Sequence, residues 1–214
     1  MKINSTGNGG WTRTEVVVVI AAVILILIFL FQPPARAKGK AQRIACVSSL
    51  NQIDSGFRIW ANDHDNKFPW EISTRHGGTL EFSAAGETFR HFQIASNEFS
   101  TPKILICNAD ADKTKTSEWS RFTERNLSYF VNLSAKKDDA QAFLVGDRNL
   151  NTNGVVLKPG LNQLSADSSL GWTPAIHKSV GNLGLADGSV KTFNAQDLRT
   201  QLQKQTNVTR LLLP

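Results

Sequence analysis

Gly10-Trp11-Thr12-Arg13-Thr14-Glu15 leads directly into Val16–Phe31, sixteen residues without a charge. An ionised carboxylate at the edge of an apolar run is disfavoured by several kcal/mol unless it is paired or sits at a polar interface. Glu15 is therefore a candidate functional residue by its position alone. A helix rises 1.5 Å per residue, so sixteen residues reach only about 24 Å, slightly short of the roughly 30 Å hydrocarbon core of a bilayer. Gln32, Pro33 and Pro34 follow the run and extend or interrupt it.

Three readings of this N-terminus compete. A secretory signal would use Lys2 and Arg13 as its basic region and Ala35-Arg36-Ala37 as its cleavage site. A plain signal anchor would use the apolar run alone. Neither explains Gly10 and Glu15 together. The short polar leader, the glycine, the aromatic Trp11 and a glutamate at the fifth place after the glycine resemble the class III signal sequences of type IV pilins and type II secretion pseudopilins. Arg13 and Thr14 stand where that family usually has apolar residues, and Trp11 replaces its commonest Phe. The resemblance implies cleavage after Gly10 by a prepilin peptidase/methyltransferase and methylation of the new amino terminus on Trp11. It also implies an assembly role for Glu15, pairing with the Trp11 ammonium of a neighbouring subunit. In a low-dielectric filament core an unpaired Glu15 would be heavily penalised, which would fix the height at which subunits enter.

The bulk of the chain suits a membrane-anchored extracytoplasmic protein. About 180 of its 214 residues follow the apolar run, enough for one domain with its own core. The net charge is +6, and Arg36, Lys38, Lys40 and Arg43 form a basic cluster suited to anionic lipid head groups. Aromatic–basic interleaving and nucleic-acid motifs are absent from the sequence, so no nucleic-acid partner is expected. The positive-inside rule weighs against an N-terminus inside, whereas the cleavage motif demands it; the motif is followed here.

Beyond the prolines, Ile44, Val47, Leu50, Ile53, Phe57 and Trp60 recur at spacings of three and four, an apolar stripe opposite Arg43, Ser48, Asn51, Ser55 and Arg58. The pattern predicts one helix over residues 14–62, kinked or broken at Pro33-Pro34, its stripe seated on a sheet. Asn62–Asn66 is turn chemistry that stops it. Asp63 and Asp65 alternate as in a calcium loop, but Phe68 and Thr74 stand where an EF-hand needs Gly and Glu. Asp110 and Asp112 form a second acidic pair. Calcium belongs to the resemblance, but no ligand set maps onto this sequence, so no metal site or cofactor is assigned. Cys46 and Cys107 either form one disulfide, closing a loop of sixty residues, or are two separate buried thiols. Neither belongs to a C-x-x-C, which speaks against zinc and redox chemistry.

Residues 70–125 read as a polar, weakly periodic insertion. Strands are expected at Leu127–Asn132 and Ala142–Val145, a turn at Gly146–Asn149 and an extended loop over 149–174. Asp187-Gly188 between alternating apolar segments predicts a hairpin with a type I′ turn, and Asn194 with Asp197 predicts the cap of a last helix. His177, nine residues and Asp187-Gly188 resemble the C-terminal H-x9-D-G signature of prepilin-type proteins of planctomycete and verrucomicrobial type. Cys46-x3-Leu50-Asn51-Gln52-Ile53, Ala61-Asn62-Asp63, Leu105-Ile106-Cys107 and Val145–Asn149 resemble that group's context. His177, Asp147 and Asp187 do not make a catalytic set, because no nucleophile elbow or metal spacing accompanies them; His177 is expected to bond backbone across the sheet.

The expectation is an α+β, pilin-like fold: a leader over 1–10, a transmembrane and filament-core half-helix over 11–34, and an extracytoplasmic domain over 35–214, with a long helix packed on a small antiparallel sheet. The expected function is non-enzymatic, a structural subunit of a type II secretion or type IV pilus-like filament. Its implied partners are the peptidase, homologous pilin-like subunits, an inner-membrane assembly platform and membrane lipid. It would lie in the inner membrane as a single pass, with the C-terminal domain outside, before entering a filament. The alternatives are an anchored binding module that never polymerises and a secreted enzyme cut near Ala37.

Overall fold

The computed structural model describes residues 10–30, 35–205 and 208–214. The chain forms two compact units, one up to Lys38 and one from Gly39 to Pro214. Helices are α1 (Arg13–Leu30), α2 (Ala35–Asn62), α3 (Phe82–Ala85), α4 (Thr88–Gln93) and α5 (Ala195–Gln203). Strands are β1 (Tyr129–Asn132), β2 (Phe143–Asp147), β3 (Leu150–Thr152), β4 (Val155–Val156), β5 (Gly160–Leu164), β6 (Leu170–Trp172), β7 (Gly181–Leu185), β8 (Val190–Phe193) and β9 (Thr209–Leu213). The fold is α+β with antiparallel sheets.

The first unit holds α1. Its apolar side chains from Val16 to Ile28 are largely exposed, including Val17, Val18, Leu25 and Ile26. Among the described residues no helix is long and apolar enough to cross a membrane. The uncharged part of α1, Val16–Leu30, reaches about 22 Å. The expected single helix over 14–62 is described as two, α1 and α2; the join at 31–34, with Pro33 and Pro34, lies outside the described residues, as does the leader up to residue 9.

In the second unit a six-stranded sheet runs β5-β9-β1-β2-β7-β8, and a three-stranded sheet runs β4-β3-β6. The central strands β1, β2 and β7 of the larger sheet are buried throughout, while its edge strands β5 and β8 are partly exposed. Tyr129, Val131, Leu144, Val145 and Leu212 join a cluster that includes Leu50, Ile53, Phe57 and Trp60 of α2. Phe130, Phe143, Leu183, Leu211 and Leu213 join another with Leu198 and Leu202 of α5 and with Leu150, Leu170 and Trp172 of the small sheet. Successive side chains point to opposite faces, so a strand covered on both sides is buried throughout, as Tyr129–Asn132 is.

Several sequence expectations need correction. Residues 70–125 are built of short helical turns, but they are not a peripheral insertion. Trp70, Phe92, Phe99, Leu105 and Phe122 lie in the core cluster, and Phe57 packs edge-on to Trp70 and Phe99 with ring centroids 5.4 Å apart in each pair. Gly146 and Asp147 continue β2 rather than forming a turn. The segment expected as an extended loop over 149–174 contains β3 to β6, and Thr209–Leu213 adds β9, for which the sequence gives no strand expectation. Ile44 is exposed and Cys46 takes its place on the buried face of α2. The hairpin turn is also different: only Gly188 has positive φ, at 92°. Gly188 N–H donates to Leu185 C=O at 2.8 Å, a type I turn closed by a left-handed glycine, which suits a three-residue loop. Asn194 caps α5 as expected, its Oδ1 accepting from the N–H groups of Gln196 and Asp197 at 2.8 and 2.9 Å.

Candidate functional site

Gly10 and Trp11 lie in exposed chain without regular structure before α1, with Trp11 71% exposed. Glu15 is already occupied within its own chain. The Thr12 N–H donates to Glu15 Oε2 at 2.8 Å and the Glu15 N–H donates to Thr12 Oγ1 at 3.3 Å. This is a reciprocal capping box, T-x-x-E, at the start of α1. The pattern Thr12-Arg13-Thr14-Glu15 signals it in the sequence, and it gives Glu15 a local task in the isolated chain.

A second group of functional side chains converges where α2 meets β2 and the segment before β7. Cys46 on α2 and Cys107 form a disulfide with Cα atoms 5.3 Å apart. His177 does not reach across the sheet to backbone as expected. Its Nε2 lies 3.2 Å from Cys107 Sγ and 3.8 Å from Asp147 Oδ2. Asp147 is fully buried at the end of β2; its Oδ2 accepts from the backbone N–H of Asn182 at 2.8 Å and from Asn182 Nδ2 at 2.9 Å. Burial pushes the Asp147 carboxyl up to about 7 despite those two bonds and Arg43, and it holds the His177 imidazole down to about 4, with Arg43 acting the same way. At neutral pH this is not an ion pair but a neutral imidazole beside a carboxyl near its midpoint.

The backbone here is strained. His177, Lys178 and Ser179 have φ of 55°, 55° and 65°, three successive left-handed residues of which none is glycine. Each such residue costs roughly 1–2 kcal/mol. Arg43 on α2 donates through Nη2 to the His177 carbonyl at 3.3 Å, and Asn149 Nδ2 donates to the Ile176 carbonyl at 3.0 Å, so the turn is held from both sides. Strain of this kind persists only where the surroundings over-determine it.

The other end of the signature also meets α2. A Cβ built on Gly188 would meet Arg58 Nη1, the far end of a flexible side chain, so the guanidinium lies directly over the glycine. Asp187 closes its own turn by accepting from the Ser189 N–H at 2.8 Å. Asp54, one turn before Arg58, is fully buried with both carboxylate oxygens unpartnered among the described residues. The signature residues His177 and Gly188 thus each touch α2, through Cys107–Cys46 and Arg43 at one end and through Arg58 at the other. Asp110 and Asp112 serve a different partner: Asp110 takes Arg148 in a bidentate pair at 2.7 and 2.8 Å, and Asp112 adds a contact at 2.9 Å. Asp63 and Asp65 lie in the turn after α2. The sequence places Arg43 only in a lipid-facing basic cluster and on the polar face of α2, and it gives Asp54 and Asn182 no role of their own. Asp54 left a trace, a lone acid between the buried positions Ile53 and Phe57 of an apolar stripe.

No family model, no curated protein and no solved structure matches the chain.

Proposed function

We propose that the protein is a pilin-like subunit, anchored and assembled through α1, of a type II secretion or type IV pilus-like filament. One observation carries the reading: α1 is an apolar helix exposed all round, capped at its start by the one acid of the run, Glu15. Such a helix needs a cover, either acyl chains or the same helix of neighbouring subunits. Its shortness against a bilayer is met by local thinning or by association with other helices. Gly10 before Trp11 supplies a peptidase site on the polar side of that helix. In this reading α1 is the anchoring and filament-core helix, the second unit is the outer domain in which α2 packs on the sheet, and the basic cluster of the sequence between residues 36 and 43 meets anionic lipid head groups. Localisation is then the inner membrane, with the second unit outside, before entry into a filament.

The test is the mature N-terminus. Mass spectrometry of the protein from membranes should find a chain beginning at Trp11, methylated on its amino group, and Gly10→Val should leave the full-length chain. A mature start at Lys38 would overturn the proposal in favour of a secreted protein.

A further inference from the structure

Among the described residues, Cys46, Cys107 and His177 offer two sulfurs and one imidazole nitrogen, all within 4.8 Å of one another and all buried. Two thiolates and an imidazole are the donor set of a tetrahedral d10 ion, and C-x-x-C spacing is not required when the fold brings distant residues together. Zn–S bonds of about 2.3 Å and Zn–N bonds of about 2.0 Å place ligand atoms about 3.4–3.8 Å apart in a tetrahedron. His177 Nε2 is already 3.2 Å from Cys107 Sγ and 3.8 Å from Asp147 Oδ2. That nitrogen is poorly served in the bridged state. As a donor it meets only a weak sulfur acceptor. As a lone pair it meets a sulfur with no hydrogen to give and a carboxyl beyond hydrogen-bond reach. Asp147 is fully buried, and its Oδ1 has no partner among the described residues.

We infer that this site has a second, reduced state in which Cys46 Sγ, Cys107 Sγ and His177 Nε2 bind one soft divalent cation of the Zn²⁺ class, with the Asp147 carboxylate, which lies outside that group of three but 3.8 Å from His177 Nε2, shifting in as the fourth donor. The balance is simple. A dithiol or phosphine reductant breaks the Cys46–Cys107 bond with two electrons and yields two thiols. Each thiol then loses its proton to solvent as a metal–sulfur bond forms. His177 keeps its proton on Nδ1 and gives the Nε2 lone pair. Two thiolates and a carboxylate around a divalent ion leave one net negative charge, offset by Arg43, whose Nη2 holds the His177 carbonyl at 3.3 Å. The site lies wholly in the second unit and does not depend on α1 or on filament assembly.

The full-length protein in detergent is reduced with a phosphine without oxygen, freed of reductant and titrated with Co²⁺, then with Zn²⁺. Reduced wild type should bind one Co²⁺, with a thiolate-to-cobalt charge-transfer band and the intense visible bands of a tetrahedral ion, and Zn²⁺ should bleach both. Oxidised wild type should show neither. His177→Ala should weaken Zn²⁺ binding at least about tenfold. X-ray absorption of the Zn²⁺-loaded wild type, which needs no variant to fold, should give two sulfur and at least one imidazole scatterer. Absence of cobalt bands in the reduced wild type, bands unchanged in His177→Ala, or a zinc shell without sulfur would each overturn the proposal.

Discussion

Asp54 carries the sharpest single-residue consequence. Burial raises its carboxyl to about 7 against the pull of Arg58, with Asp187 pushing the same way as burial. The unfolded chain titrates this group near 3.9. Below that value both states are protonated and nothing is lost. As pH rises from about 4 to about 7 the unfolded state gives up the proton while the folded state keeps it, so stability falls, by up to about 4 kcal/mol at 1.36 kcal/mol per unit. Glu124 and Asp147, also raised to about 7 chiefly by burial, slope the same way. Asp54→Asn removes one of these titrations. Denaturant unfolding should show it close to wild type at pH 4 and more stable by about 2–4 kcal/mol at pH 8. Equal stability of the two proteins at pH 8 would show that Asp54 titrates normally. Individual residues of this kind were the least legible part of the sequence. The two cysteines could be singled out by their number and His177 by a resemblance, but that they meet depends on where β2 and the strained turn at 177–179 place them, which no local pattern encodes. Glu15 shows the opposite case: its capping box is fully local to Thr12-Arg13-Thr14-Glu15, yet the sequence pointed only to its place beside the apolar run and its assembly role.

At the scale of elements, the patterns that could be read were those with one wet side or one chemical marker. The stripe of α2, the Asp187-Gly188 hairpin and the Asn194 cap belong here. The small strands β3 to β6 are two to five residues long and rich in Asn, Gly and Pro nearby, so composition hid them. The aromatic core over 70–125 was hidden for another reason: it is built from single side chains on short turns, with no period to detect. The hairpin allows a controlled test of the α2 contact. Gly188 and Gly77 both have positive φ, 92° and 80°, but only Gly188 is crowded, by Arg58, while nothing lies within 4 Å of a Cβ on Gly77. Left-handed strain alone costs about 1–3 kcal/mol. Gly188→Ala should therefore lower the unfolding free energy by more than Gly77→Ala does, because Arg58 must also leave its place. Equal losses in the two variants would mean that the guanidinium moves aside freely. The disulfide ties the same helix to a point 61 residues on. Cys107→Ser should cost about 2–5 kcal/mol by denaturant unfolding of the oxidised proteins, and an unchanged midpoint would make the bridge energetically idle.

For the whole molecule the question is what covers α1, and Glu15 decides it. Two tasks are on offer for one carboxylate. In the isolated chain it caps its own helix, accepting from Thr12 at 2.8 Å. In a filament it would neutralise the Trp11 ammonium of a neighbour. Replacement by Gln separates the two, because a Gln at this place still accepts from the Thr12 N–H and keeps the capping box, while it carries no charge. Glu15→Ala removes both. If the cap is the whole role, Glu15→Gln should behave as wild type everywhere, and Glu15→Ala should lose only local stability in the first turn of α1. If the charge pairs in a low-dielectric core, both variants should be exported, cut after Gly10 and folded in their outer unit, yet both should be strongly depleted from sheared filaments, since either leaves an ammonium buried without its partner. The measurement is a blot of the sheared fraction from cells expressing wild type, Glu15→Gln and Glu15→Ala at matched levels. Depletion of both variants supports assembly through the charge. Wild-type amounts of Glu15→Gln in that fraction would reduce Glu15 to a helix cap, and wild type itself missing from the fraction would leave α1 as an anchor for a protein that does not polymerise.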